Sequence, residues 1–251
     1  MKQYQSIADL KNLAKDKLTG NFSNALFALL SVQVINRLIS NMAVTMVPAV
    51  GILWDIIALI ISAVIAVFLG VLQTGVACYF LNLACGHRPN HGYIFYGFQE
   101  SRDKSIRISL VHVLTETICL FPYQIIFLLF RRTTTVSYGI AALIALIVGY
   151  IILIPIKLAI SQTYYLLMDF PESTPTDIIK TSIRIMKGHK KRLFLLELSF
   201  LPLHMLNLLS FGIGALWLNP YMQMTYTLFF LDLMNPGNLA QAKNATSQHE
   251  S

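Results

Sequence analysis

Five ionisable residues, Arg37, Asp55, Glu116, Lys157 and Glu197, stand inside long apolar stretches of this chain. In a bilayer core each such charge costs about 2.5–3.5 kcal/mol on insertion scales, so each needs a partner or a task. Arg37 and Asp55 flank one turn and can pair across a hairpin. Glu116 and Lys157 reach similar depth, counted from the inner ends of two successive stretches. Both arrangements suit an ion pair joining neighbouring helices, and the competing chemistry is a proton or substrate relay. His112 and Glu116 are four residues apart, the spacing that presents two metal ligands on one helical face, and Glu197 and His204 are seven apart. Neither forms a His-Glu-x-x-His motif and no third ligand follows from spacing, so no metal or other cofactor is expected. There is no paired-aspartate motif, Ser-His arrangement or phosphate-cradling glycine loop, so no catalytic residue is assigned and a non-enzyme is expected. Lys187, Lys190, Lys191 and Arg192 form a basic cluster that suits phospholipid headgroups, although a general bias of basic residues to the cytoplasm accounts for it as well.

The elements that must hold these residues are apolar helices. Of the 251 residues, 55% are hydrophobic and 12% charged, against about a quarter charged in a soluble domain. That deficit points to lipid as the solvent and to one integral membrane domain over residues 1–234. A bilayer core about 30 Å thick takes about 20 helical residues. Six stretches are long enough: Phe22–Val44, Ile52–Cys85, Ile106–Phe130, Tyr138–Met168, Leu193–Leu209 and Ile213–Leu233. The expected fold is an all-α polytopic membrane bundle of about six transmembrane helices. Pro122, Pro155, Pro202 and Pro220 are expected to kink their helices. Trp54 and Trp217 suit the outer interface, and Tyr93, Phe95, Tyr96 and Phe98 the inner one. Cys78, Cys85 and Cys119 offer no disulfide framework, and no cleavable signal peptide is expected. Residues 235–251 are polar, without apolar periodicity, and are expected to be a disordered tail.

The net charge of +7 comes with nineteen Lys and Arg. Fifteen of them, counting Arg107 at the very start of the third stretch, fall before the first stretch, between the second and third, between the fourth and fifth, or in the tail, which places both termini in the cytoplasm. Basic residues interleaved with apolar spans indicate lipid contact rather than nucleic acid.

Each basic segment also has the pattern of a short amphipathic helix leading into a span, which points to interfacial helices on the cytoplasmic side. Asp9, Leu18 and Gly20 match Asp177, Met186 and Gly188 at one constant offset, and the segment from Gly92 is a more diverged third copy. A threefold pseudo-repeat of interfacial helix plus transmembrane hairpin is expected, and a helix over Asp177–Met186 is its first requirement.

Three ordered blocks carry a resemblance: Leu10, Ala14, Leu18, Gly20 and Asn21; Gly75, Tyr79, Phe80, Leu81, Phe95, Gly97 and Phe98; and Met186, Gly188, Leu198, Ser199, Phe200, Gly212, Ile213, Gly214, Trp217, Pro220 and Tyr221. On these the chain resembles domain-of-unknown-function family 975 of bacterial integral membrane proteins. More distantly, it is similar to the membrane domains attached to some bacterial glycerophosphodiester phosphodiesterases. Leu201, Pro202, Leu203 and His204 stand where the family pattern has a tryptophan-containing aromatic segment, and the family pattern also has an aromatic pair near Leu228 and Phe229. The resemblance implies a multi-pass protein of the bacterial cell membrane. The function expected is a non-enzymatic membrane module binding lipids or a membrane protein partner. The alternative is a small transporter or permeability factor with a charged intramembrane cavity.

Overall fold

A computed structural model describes residues 4–46 and 51–236, and the side chains of 40–46 and 52 are not among the described features. Residues 47–50, in the turn that Arg37 and Asp55 flank, and the expected tail beyond Pro236 lie outside the described residues. Among the described residues every regular element is a helix.

The first helix, α1 (Ile7–Leu18), starts where the Ser6 hydroxyl accepts the Asp9 N–H at 3.1 Å, and it buries Leu10, Ala14 and Leu18 at four-residue spacing. Gly20, at φ +79°, turns the chain into α2 (Phe22–Met46), which pairs with α3 (Ile52–Ala84). A 3-10 turn over His91–Phe95 and the short α4 (Tyr96–Gln99) lead into α5 (Arg102–Thr133). There follow α6 (Val136–Ile160), its continuation α7 (Thr163–Asp169), α8 (Pro175–Ile185), α9 (Lys190–Leu198), α10 (Leu201–Leu209) and α11 (Ala215–Met234).

The helix required by the repeat is therefore present as α8. Its start copies that of α1: the Thr174 hydroxyl accepts the Asp177 N–H at 3.3 Å, Ile178, Ser182 and Met186 are buried, and Gly188 follows at φ +89°. A polar side chain that caps the first turn and a glycine in the left-handed region after the last are strong local helix boundaries. In the middle segment Asn90 accepts the Gly92 N–H, but only a 3-10 turn and one α turn follow.

These amphipathic segments do not stand apart from the spans. Each folds back, antiparallel, on the end of a long helix. The first, α1, runs along α11: the Gln5 N–H meets the Asp232 carboxylate at 3.2 Å, and the Lys15 ammonium lies over the Tyr221 ring at 5.8 Å. The middle segment runs back along α3 so closely that a Cβ on Gly75 would stand 1.8 Å from the Ile94 carbonyl oxygen, and one on Gly97 would stand 2.5 Å from that of Val71. Returning along α7 and the end of α6, α8 donates from its Ser182 hydroxyl to the Ala159 carbonyl at 2.9 Å.

The core is concentrated at this end of the molecule. Leu72, Val76, Tyr79 and Phe80 of α3 pack with Ala25, Ala28, Met224, Leu228 and Phe229, and a second cluster joins Ala77, Ile108, Leu166, Ile178 and Phe230. Away from it, α3, α5 and α6 expose rows of large apolar side chains such as Ile60, Val64, Ile118, Phe121, Ile144 and Ile151. Surface of that kind suits hydrocarbon rather than water. Five segments have the length and apolarity to cross a membrane: Phe22–Ile39, Leu53–Ala84, Arg102–Thr133, Val136–Asp169 and Lys190–Leu209. The sixth expected span corresponds to α11, which has 20 residues but is not one of the five. Pro122, Pro155 and Pro220 lie inside continuous helices, whereas Pro202 opens a new one, α10, after the chain breaks at Ser199 and Phe200.

Candidate functional site

The five charges and the basic cluster separate into three different settings. Glu116 on α5 and Lys157 on α6 meet at 2.7 Å, as their matched depths predict. Both side chains are about half exposed, 48% and 46%, so the pair lies on the outer wall of the α5–α6 hairpin rather than inside a cavity. One turn away, His112 stacks on Tyr164 with ring centroids 5.0 Å apart, and its Nε2 lies 2.9 Å from the Thr163 hydroxyl. Among the described residues no three His, Cys, Asp or Glu side chains converge as a metal site.

Asp55 corrects the second expected pair. Its carboxylate accepts from Arg132 at 2.9 Å, not from Arg37 across the α2–α3 hairpin. Packing of α3 against α5 brings the last turn of α5 to the first turn of α3, so the guanidinium comes from a helix that is not the neighbour in sequence. Arg37 and Glu197 are both exposed, on α2 and α9.

The basic cluster divides. Lys187 and Lys191 are exposed and Lys190 is half-buried. Arg192 instead turns inward: its Nη2 donates to Asp232 at 2.5 Å and to the Gln5 carbonyl at 2.7 Å, and its guanidinium lies over the rings of Tyr4 at 5.4 Å and Phe229 at 4.9 Å. Asp232 is completely buried and also accepts the Gln5 N–H. This latch joins the N-terminal segment, α9 and α11. Sequence reasoning missed it because Asp232 reads as the last polar residue of a span.

A groove of about 780 Å³ opens between the end of α1, α10 and the first half of α11. Phe22, Leu203, Leu206, Trp217, Leu218 and Tyr221 give it an apolar wall, and Lys15, Thr19, Asn207 and Ser210 supply its polar groups. The Asn207 side-chain carbonyl oxygen is buried there with no hydrogen-bond partner. Lys11, next along α1, donates to the Ser199 carbonyl at 2.8 Å and lies 4.2 Å from the Phe200 ring centre. Burial, and secondly the nearby Lys15, push the Lys11 ammonium below its ordinary pKa. The size and mostly apolar wall with a few polar groups are those of a small-molecule or lipid site. None of these lining residues was singled out as a ligand contact from sequence. Trp217 was read as an interface anchor, and α10 and α1 are too far apart in sequence to suggest a shared groove.

A family model described as protein of unknown function, DUF975, matches residues 1–236. The chain belongs to this family. The match takes in every described element, from the Ser6 cap to the end of α11. No curated protein and no solved structure matches the chain.

Proposed function

We propose that this member of DUF975 is a non-enzymatic module of the bacterial cell membrane that holds an anionic phospholipid in the groove between α1, α10 and α11. The carrying observation is the groove itself. Its apolar wall of Leu203, Leu206, Trp217 and Leu218 suits an acyl chain, while Lys15 and Thr19, at the end of the charged α1, suit a headgroup. A buried, unpaired Asn207 oxygen adds an acceptor for a headgroup or glycerol hydroxyl. Lys187 and Lys191 are free to add diffuse attraction for an anionic leaflet.

The wider organisation is part of the same proposal. Both termini lie on the cytoplasmic side, as the basic segments favour, and contact between Gln5 and Asp232 supports a shared face for the two ends. An even number of crossings follows, six if every hairpin spans and four if one stops short. Three units, each a fold-back amphipathic segment followed by a hairpin, account for the matched caps and buried faces of α1 and α8. The distant similarity to phosphodiesterase membrane domains is likewise a proposal, and no matching relative speaks for it.

A second reading, a small transporter or permeability factor, draws on the Glu116–Lys157 pair, a charge pair deep in two apolar helices. Its exposure on the outer wall favours an interhelical tie instead.

Native mass spectrometry of the chain extracted in its own lipids tests the lipid reading. The expected result is one retained anionic phospholipid per chain, weakened by Lys15→Gln and lost when Leu206→Trp fills the groove. Retention unchanged by Leu206→Trp would rule the groove out, and a retained protein with no lipid would favour a scaffold.

A further inference from the structure

The third hairpin is much shorter than the other two when measured outward from the buried core. From the outermost residue of each helix within the two core clusters, α2 continues from Leu29 to Met46, α3 from Leu72 back to Ile52, α5 from Ile108 to Thr133, and α6 from Leu158 back to Val136. At 1.5 Å per residue these reaches are about 25–38 Å, comparable to a bilayer core about 30 Å thick. The α10 arm leaves the core at Phe200 and turns at Ser210, and the α11 arm returns from Gly212 to Leu218. Those reaches are only about 9–15 Å.

The chain beside this hairpin carries charge along nearly its whole length. Between the Gln5–Asp232 contact and the Lys15–Tyr221 contact, α1 bears Asp9 and Lys11, and Asp16 and Lys17 follow directly. Were α11 to cross, these charges would be carried into hydrocarbon with it, where each is costly. The tip, by contrast, has no charged residue from Leu198 to Leu231. It exposes Leu208, Leu209, Ile213 and Trp217, and Phe211 is 98% exposed. Phe211 and Gly212, at φ +53° and +88°, form the turn, which the Ser210 hydroxyl closes by accepting the Gly214 N–H at 3.0 Å.

We propose that the α10–α11 hairpin does not cross the membrane but sinks its apolar tip into the hydrocarbon of the leaflet adjoining α1, so that only α2, α3, α5 and α6 span. This rests on the membrane reading above and deepens it. The reach matches the shallow insertion of amphipathic elements, about 5–10 Å into the headgroup and acyl boundary. The same insertion would set the mouth of the groove at headgroup depth, open sideways to lipid.

Thiol labelling with a membrane-impermeant maleimide decides it. In a Cys78→Ala, Cys119→Ala background, Cys85, exposed just past α3, reports the α1 side, and Thr135→Cys with Cys85→Ser, between α5 and α6, reports the opposite side. Ser210→Cys and Phe211→Cys, each with Cys85→Ser, report the tip. Spheroplasts and inverted vesicles present the two faces in turn. Labelling of Cys85 and Thr135→Cys from opposite faces is expected, with both tip thiols reacting from neither face and reacting fully after the membrane is dissolved in a denaturing detergent. Two tip positions guard against one variant misfolding. Tip labelling from the Thr135 face would mean a full crossing and overturn the proposal. From the Cys85 face it would mean a tip in water, with the same consequence. If Cys85 and Thr135→Cys react from one face, the membrane reading itself fails.

Discussion

The Asp232 carboxylate is fully buried and accepts from the Gln5 N–H and from the Arg192 guanidinium, which also lies over the Phe229 ring. Removing one partner of such a pair strands the other charge, at a cost of about 3–5 kcal/mol. Asp232→Ala is therefore expected to lower the thermal midpoint strongly in lipid or mild detergent, and differential scanning fluorimetry of the purified chain reads this directly. Deletion of the Asp232 side chain with no loss of midpoint would show that the latch contributes little. The Glu116–Lys157 pair behaves differently, because its members are half exposed on an apolar wall. Either Glu116→Leu or Lys157→Leu alone leaves one unpaired charge and is expected to destabilise by about 2.5–3.5 kcal/mol. The double variant should recover most of that loss, and a double-mutant cycle on unfolding midpoints measures the coupling. Simple additivity of the two single losses would argue against an interhelical tie. Depth counting in adjacent stretches made this pair legible, whereas Asp55–Arg132 joins α3 to α5 and the latch joins three segments, partnerships that counting within one hairpin cannot reach.

At the scale of elements, close approach of backbones decides how the fold-back segments seat. The 3-10 turn and α3 touch through Gly75 and Ile94, and neither side of that contact is a flexible side chain. Gly75→Ala is expected to push the segment off α3 and cost at least about 3 kcal/mol, the upper range for overpacking. Gly92→Ala, where an added Cβ meets nothing within 4 Å, is its control. That change should leave stability unaltered or raise it by up to about 1 kcal/mol through the unfolded chain. Chemical unfolding of both variants in one detergent checks the contrast, and equal midpoints would refute the contact argument. The caps and glycines of α1 and α8 repeat at one offset, which is why those two helices were readable in advance. The break between α9 and α10 was not, since a proline inside an apolar run is compatible with either a kink or a new helix, and only packing of Phe200 into the core selects the second.

Over the whole molecule each fold-back segment has a long helix beneath it: the middle segment lies on α3, α8 on α7 and the end of α6, and α1 on α11, so the first described helix packs on the last. The Gln5–Asp232 contact brings the first and last described helices together, a placement that permits relocation of the termini. A circular permutant joining the ends by a flexible linker and opening the chain between Gly86 and Pro89, in the loop after α3, is expected to insert and to melt within a few degrees of the parent. Fluorescence-detected size exclusion and a thermal ramp read both properties, and aggregation of the permutant would show that the fold depends on the order in which its helices are made.

Composition and helical period determined by themselves that this chain is all-helical, apolar enough for lipid and basic at one set of turns, because these are properties of single stretches. The constant offset between Asp9 and Asp177 carried the relation of α1 to α8 for the same reason. Tertiary structure alone decided that the amphipathic segments lie against long helices instead of free on a surface, that Asp232 and not lipid holds Arg192, and that α1 and α10 enclose a groove. Each of those depends on the placement of helices remote in sequence, set by glycine contacts and a buried carboxylate that no local pattern encodes.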